Sequence, residues 1–205
     1  LTAGNIATLF GTPTGNPLGE ALDGVGLSWS TGGDANWFSQ TTVTHDLADA
    51  AQSGAIGDDQ FSWIETTVTG PGTLSFWWRV DSDDQLGYDY LLFNIDGNYS
   101  SEIAGDYGWE YYETQLDPGP QTLRWTYYKD LSDAAGADAA WLDEVNFVPD
   151  APPTITFQPI DHTIYPGYPP QLVADATAIP EANWQWYKVG TGLIPGATSR
   201  YYSPT

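Results

Sequence analysis

The chain has 205 residues, enough for one large or two small domains, and its ten Trp and thirteen Tyr supply ample core-forming side chains. Twenty-seven Asp plus Glu stand against five Lys plus Arg, a net charge of −22, so the surface repels nucleic acid and anionic membranes; the same excess aids solubility. The lack of cysteine excludes disulfides, thiolate metal sites and cysteine nucleophiles, and no apolar run approaches the ~18 residues of a membrane-spanning helix.

Residues 1–19 read as a lead-in with one short apolar piece, Ile6 to Phe10, followed by Gly and Pro. The absence of Met and the start at Leu1 are expected of a processed product or a fragment. Residues 27–40 hold Trp29, Trp37 and Phe38 around a Thr31-Gly32-Gly33-Asp34 turn, and residues 41–54 read as loop rather than helix. Residues 61–68 alternate Phe61, Trp63 and Glu65 with Ser62, Ile64 and Thr66, which predicts a strand.

Gly70-Pro71-Gly72 then reads as a break from which a central strand starts. Its apolar row is Leu74, Phe76, Trp78 and Val80; the alternate row is Thr73, Ser75, Trp77 and Arg79. That period of two predicts one face in a core. Leu91, Phe93 and Ile95 repeat it and end in an Asp96-Gly97 hairpin signal. Further strands are predicted over 109–116, at Leu123, Trp125 and Tyr127 after Asp117-Pro118-Gly119-Pro120, and over 140–148. Residues 149–153 carry stacked prolines and read as a linker. Aromatic-rich strands of this kind bury themselves by facing another sheet, so the expected class is all-β, a large β-sandwich over 20–148 and a smaller one over 154–205.

Several motifs within residues 20–148 carry a resemblance. They are Glu20-Ala-Leu-Asp23, Trp37 with Gln40, Thr44-His45-Asp46, and Asp49-Ala-Ala-Gln-Ser-Gly54. Gly72-Thr-Leu-Ser-Phe-Trp-Trp78, Thr122-Leu-Arg-Trp125 and Asp138-Ala-Ala-Trp-Leu-Asp-Glu-Val145 complete the set. This part resembles the MAM-type jelly-roll sandwiches, and more closely a related bacterial module of large secreted or surface proteins, without the cysteines of animal MAM domains.

Gln158-Pro159, Pro166-Gly167, the Leu172/Ala174/Ala176 alternation and Trp184-Gln-Trp-Tyr-Lys188 resemble the early strands of a bacterial immunoglobulin-like domain. Trp186 then stands where the strand C tryptophan would be. Residues 154–205 are few for such a sandwich, and the later strands are missing. Residues 1–10 resemble a final strand of such a domain, which suggests head-to-tail self-association: Ile6, Leu9 and Phe10 of one chain would complete the fold around Leu172 and Trp186 of the next. The alternative is a piece of a longer tandem array whose neighbouring domains supply the contacts.

Asp143 falls within Trp141-Leu-Asp-Glu-Val-Asn-Phe147, where strict alternation puts it on the same face as Trp141, Val145 and Phe147. A core-facing carboxylate needs a cation or hydrogen-bond donors. Either a hard, oxygen-loving metal meets it, or Arg124 or backbone amides do. The jelly-roll resemblance implies a structural Ca²⁺ held by Glu20 or Asp23, by Asp46 and Asp49, and by Asp143. The run Asp81 to Asp89 fails the EF-hand pattern, with Leu86 and Leu92 at the required Gly and Glu positions, and reads as a solvated acidic loop.

Catalysis has little footing. His45-Asp46 could form a base with its orienter, but no Ser occupies a nucleophile elbow. Trp77, Tyr111 and Tyr112 are candidates for stacking on sugars, the alternative being that a loop or sheet covers them. The expected function is a non-catalytic, secreted or cell-surface structural or adhesive protein, in its most specific form a filament subunit. The alternative is a carbohydrate-binding module, with no nucleic-acid partner and no membrane insertion.

Overall fold

The computed structural model describes residues 17–24, 26–82, 88–131, 136–163 and 167–204. The chain is all-β and divides into two compact units, Leu1–Val148 and Pro149–Thr205. The first contains a five-residue helix α1 (Pro17–Ala21) and strands β1 (Ser30–Gly33), β2 (Phe38–Gln40), β3 (Ala50–Gln52), β4 (Phe61–Asp81), β5 (Tyr90–Ile95), β6 (Asn98–Ile103), β7 (Glu110–Tyr128) and β8 (Ala139–Pro149).

The strands form one continuous antiparallel network in the order β2-β3-β8-β4-β7-β5-β6, with β1 also on β4. Its organising pair is β4 with β7, in register from Phe61↔Tyr128 to Trp78↔Glu110. The Gly-Pro-Gly of β4 does not begin a strand, as the sequence suggested; it bends one already under way. Gly70 lies opposite Gly119, and the register slips between Gly70 and Gly72. Both ribbons therefore turn at the same level, where a missing Cβ is required: one added at Gly70 would meet the Asp117 carbonyl oxygen at 2.2 Å, and one at Gly72 would meet Phe147 and the Val148 carbonyl at 2.6 Å. Likewise Asp117-Pro118-Gly119-Pro120 lies inside β7 rather than before it.

The bend makes two layers from one network. In the first layer, the initial half of β4 pairs with β1, and the final half of β7 pairs with β5, which pairs with β6. The second layer holds β2, β3, β8, the final half of β4 and the initial half of β7. The layers face each other: Phe76 of the second meets Trp125 and Phe93 of the first at ring separations of 5.1 and 5.0 Å. Leu74, Phe76, Trp78, Val80, Leu91, Phe93, Leu123, Trp125 and Tyr127 are all buried in this core, as their alternation predicts. Asp96 (φ 52°) and Gly97 (φ 77°) form the tight β5–β6 turn, a type I′ geometry that suits the strand twist.

The second unit consists of strand pairs: β9 (Ala151–Phe157) with β11 (Asp175–Ile179), β10 (Leu172–Val173) with β14 (Tyr201–Tyr202), and β12 (Tyr187–Lys188) with β13 (Gly192–Leu193). Residues 151–153, part of the expected linker, are thus strand. Among the described residues of this unit only Ala174 is a buried hydrophobic, while Ile155, Phe157, Tyr187, Val189 and Leu193 are exposed. Trp186 is half-buried; its Nε1 donates to the Ser199 carbonyl at 2.7 Å and its ring stacks on Tyr202. Leu172, also half-buried, pairs with Tyr202. Ile6, Leu9 and Phe10 lie outside the described residues.

Candidate functional site

Because Ile64, Leu123, Trp125 and Tyr127 point into the core, the alternate rows of the same strands line the outer face of the first layer. Phe61, Trp63 and Glu65 of β4, Thr122, Arg124, Thr126 and Tyr128 of β7, Asn94 of β5 and the Asp96–Gly97 turn enclose a cleft of about 580 Å³. One end is polar. The Arg124 Nε and Nη2 donate to Glu65 Oε2 at 2.8 and 2.6 Å, and Ser30 Oγ donates to Glu65 Oε1 at 3.3 Å. The guanidinium carbon sits 4.4 Å from the centre of the Trp63 ring, a cation–π contact that leaves it little rotational freedom. The indole in turn lies on Gly32, where an added Cβ would come within 2.6 Å of it.

The other end is aromatic. Phe61, 41 % exposed, packs on Tyr128 at 5.8 Å, and Tyr128 stacks on Tyr90 at 5.3 Å. Tyr90 is outside the lining and backs Tyr128; burial, reinforced by Tyr128 and Glu102, raises its pKa, so its phenol stays neutral. From Arg124 to Tyr128 is four residues, about 13 Å of extended strand. The cleft thus presents fixed donors and acceptors beside apolar ring surface, the pairing that orients a polyhydroxylated ligand. The sequence reading selects none of these residues as a site. The alternation of 61, 63 and 65 is visible in it, but not that its large residues face outward.

The aromatic and acidic residues of the first unit that the sequence singles out lie on or beside the second layer. Trp77 is on the outer face, but His45 stacks on it at 3.9 Å and 17°, with Trp109 edge-on to His45, so the loop 41–49 covers it. Tyr111 is beside Trp77, exposed, and its hydroxyl donates to Glu113 at 2.6 Å. Tyr112 points inward instead, stacking on Phe76 at 5.1 Å and sharing a hydrogen bond with Ser100, as alternation with Tyr111 requires. His45 Nδ1 pairs with Glu144, not with Asp46.

Asp143 is 1 % exposed and shares the face of Trp141, but that face is not the sandwich core. Leu142 is the core residue, and Glu144 adopts φ 49°, a kink that returns Val145 to the core side. Trp141 instead bonds Gln52 and carries Arg79 over its ring. Asp143 is met by amides: Oδ2 accepts from His45 N–H at 2.7 Å and Oδ1 from Glu144 N–H at 2.8 Å, while Arg124 is committed to Glu65. Burial nevertheless pushes its pKa from 3.8 to about 6, against the pull of those amides. Asp23 is raised too, by burial and then by Asp46, Glu144 and Asp49. These carboxylates therefore sit within electrostatic range of one another, and an all-oxygen set suits Ca²⁺. Among the described residues, however, no three Asp, Glu or His side chains converge as a ligand set, and Glu20 is not among the groups that perturb Asp23 or Asp143.

No family profile and no curated protein matches the sequence. Solved structures that are similar include the secreted serine protease VesC from Vibrio cholerae, at 16 % identity and a TM-score of 0.45, covering 56 % of this chain and 24 % of that one. The K2 cleaved adhesin domain of Lys-gingipain aligns at 14 % identity and a TM-score of 0.43 over 58 % of this chain and 89 % of that domain. TmCBM61, solved in complex with beta-1,4-galactotriose, aligns at 16 % identity and a TM-score of 0.40 over 65 % of this chain and 95 % of that one.

Proposed function

We propose that the first unit is a non-catalytic glycan-binding module of a secreted or cell-surface protein, its ligand lying along the outer face of β4, β5 and β7. The cleft between the Glu65–Arg124–Trp63 assembly and the Phe61 and Tyr128 rings, the latter backed by Tyr90, is the observation that carries this reading. Its ionisable lining is Glu65, Asp96 and Arg124, one cation against two anions, on a chain of net charge −22. A neutral glycan therefore fits better than a polyanionic one. Calorimetry against a panel of neutral glycans tests it. Wild-type protein is expected to bind at least one, and Trp63→Ala and Arg124→Ala each to weaken that binding about tenfold or more. Folded wild-type protein that binds no member of a broad panel refutes the reading, as does unchanged affinity in both variants. Bound glycan is expected to be recovered uncleaved.

A second reading, self-association, is supported by the near-absence of buried hydrophobics among the described residues of the second unit. An added strand from Ile6, Leu9 and Phe10 of another copy would cover exposed residues such as Ile155 and Phe157. Light scattering of the full chain and of a chain lacking residues 1–10 distinguishes the two: assemblies that persist without those residues, or monomers in both, count against strand donation. A Ca²⁺ at the cluster of Asp23, Asp46, Asp49 and Asp143 is also proposed, supported by the raised pKa values of Asp23 and Asp143, both of which are shifted by desolvation and feel the charge of Asp46. A melting temperature unaffected by Ca²⁺ or chelator would remove it.

A further inference from the structure

At the end of β7 lies a buried polar group that the cleft does not use. The Lys129 side chain is 3 % exposed, and its ammonium contacts Asp138 Oδ2. Tyr127, fully buried, donates its hydroxyl to the other oxygen, Asp138 Oδ1, at 2.9 Å. Asp89, read from sequence as part of a solvated loop, is 0 % exposed. Its Oδ1 accepts the Asp130 N–H at 2.9 Å, but its Oδ2 is buried without a hydrogen-bond partner. Lys129 and Asp138 both act electrostatically on Asp89. The group thus holds a buried amine, a partly exposed carboxyl in contact with it, a donor on that carboxyl's second oxygen, and a separate, buried carboxyl with a free acceptor oxygen.

We propose that Lys129 and Asp138 condense into an intramolecular isopeptide bond, with Asp89 as the proton carrier. The ammonium first passes one proton to Asp138 Oδ2, leaving a neutral amine beside a carboxylic acid. The amine lone pair attacks Asp138 Cγ; the N–C bond forms as the carbonyl pair moves onto Oδ1, where the Tyr127 hydroxyl stabilises it. The nitrogen, now cationic, yields a proton to Asp89. Asp89 hands it to the departing Oδ2–H, the C–Oδ2 bond breaks, and the carbonyl re-forms. One water leaves, built from Oδ2 and two of the three ammonium protons; the third stays on the amide. No oxidant, cofactor or second substrate is needed.

The driving force is the burial itself. The Lys129 side chain is 3 % exposed and that of Asp138 28 %, so the ammonium bears most of a desolvation penalty that the Coulomb attraction only partly offsets, and an amide carries no such charge. Burial raises the Tyr127 pKa, so the phenol stays protonated throughout. Burial also raises the Asp89 pKa, which favours its holding the proton in transit. The bond would close residues 129–138, the connection from β7 in one layer to β8 in the other.

Intact mass spectrometry of the purified, folded chain tests this directly. The expected mass is lighter than the sequence mass by one water, and trypsin should fail to cut after Lys129, leaving one peptide from Trp125 to Lys188 that carries the loss. Asp138→Ala should restore the full mass and the cleavage. Asp89→Asn, which keeps the size of the buried side chain, should restore the full mass while retaining the native near-ultraviolet dichroism. Wild-type protein at its full sequence mass overturns the proposal, and so does a water loss that fragmentation places elsewhere.

Discussion

Replacing Asp143 by Asn removes a buried charge with almost no change of shape, and its effect should depend on pH in a defined way. In the folded chain the carboxyl titrates at about 6 rather than 3.8, burial being the main cause. Between those values the folded state holds a proton that the unfolded state has released, so wild-type stability falls as pH rises through this window and is flat above it. At about 1.4 kcal/mol per tenfold change in ionisation equilibrium, the loss is on the order of 3 kcal/mol. The Asn variant has no such titration. It carries a separate, pH-independent cost of about 1–3 kcal/mol, because its Nδ2 must face at least one of the amide donors, from His45, Asp46 or Glu144. Urea unfolding of both proteins in chelator, from about pH 4 to about pH 7, should therefore show the difference shifting in favour of the Asn variant by about 2–2.5 kcal/mol, most of that total. The contribution of Asp23 is common to both curves and cancels. Parallel stability curves would refute the assignment of the cost to this carboxylate.

Gly70→Ala should destabilise the first unit by about 2 kcal/mol or more in the same unfolding assay, because the new Cβ meets a backbone oxygen that cannot rotate away. Trp125→Ala should cost about 3–5 kcal/mol, since its fully buried ring packs against Trp29, Phe76 and Phe93. Asp96→Ala loses the carboxylate that accepts the Thr122 N–H at 2.7 Å and leaves Ala in a left-handed turn, with an expected loss of about 1–2 kcal/mol. If the calcium reading holds, added Ca²⁺ should raise the melting temperature of wild-type protein and raise that of Asp143→Asn less, as scanning calorimetry would show.

The core rows are legible because alternation is a local property: Leu74 to Val80 and Leu123 to Tyr127 announce their buried faces within a few residues. What the sequence does not convey depends on partners far along the chain. Gly-Pro-Gly looks like a boundary until Gly119 is placed opposite Gly70, forty-nine positions away, when it becomes a shared bend. The face of Asp143 escapes strict alternation because the kink falls on Glu144, a residue with no local preference for positive φ. Trp77 does point outward, but the ring that covers it belongs to His45, in a loop that pairs with β8. The cleft presents the reverse problem. Phe61, Trp63 and Tyr128 are large enough to pass for core, and their exposure follows only from knowing that Ile64 and Trp125 occupy the inside.

Since β4 and β7 run unbroken through both layers, the sandwich has no seam along which one half could peel from the other. Backbone amides near Thr66 and near Phe76 should then exchange with deuterium in a single slow class, opening only when the whole first unit unfolds.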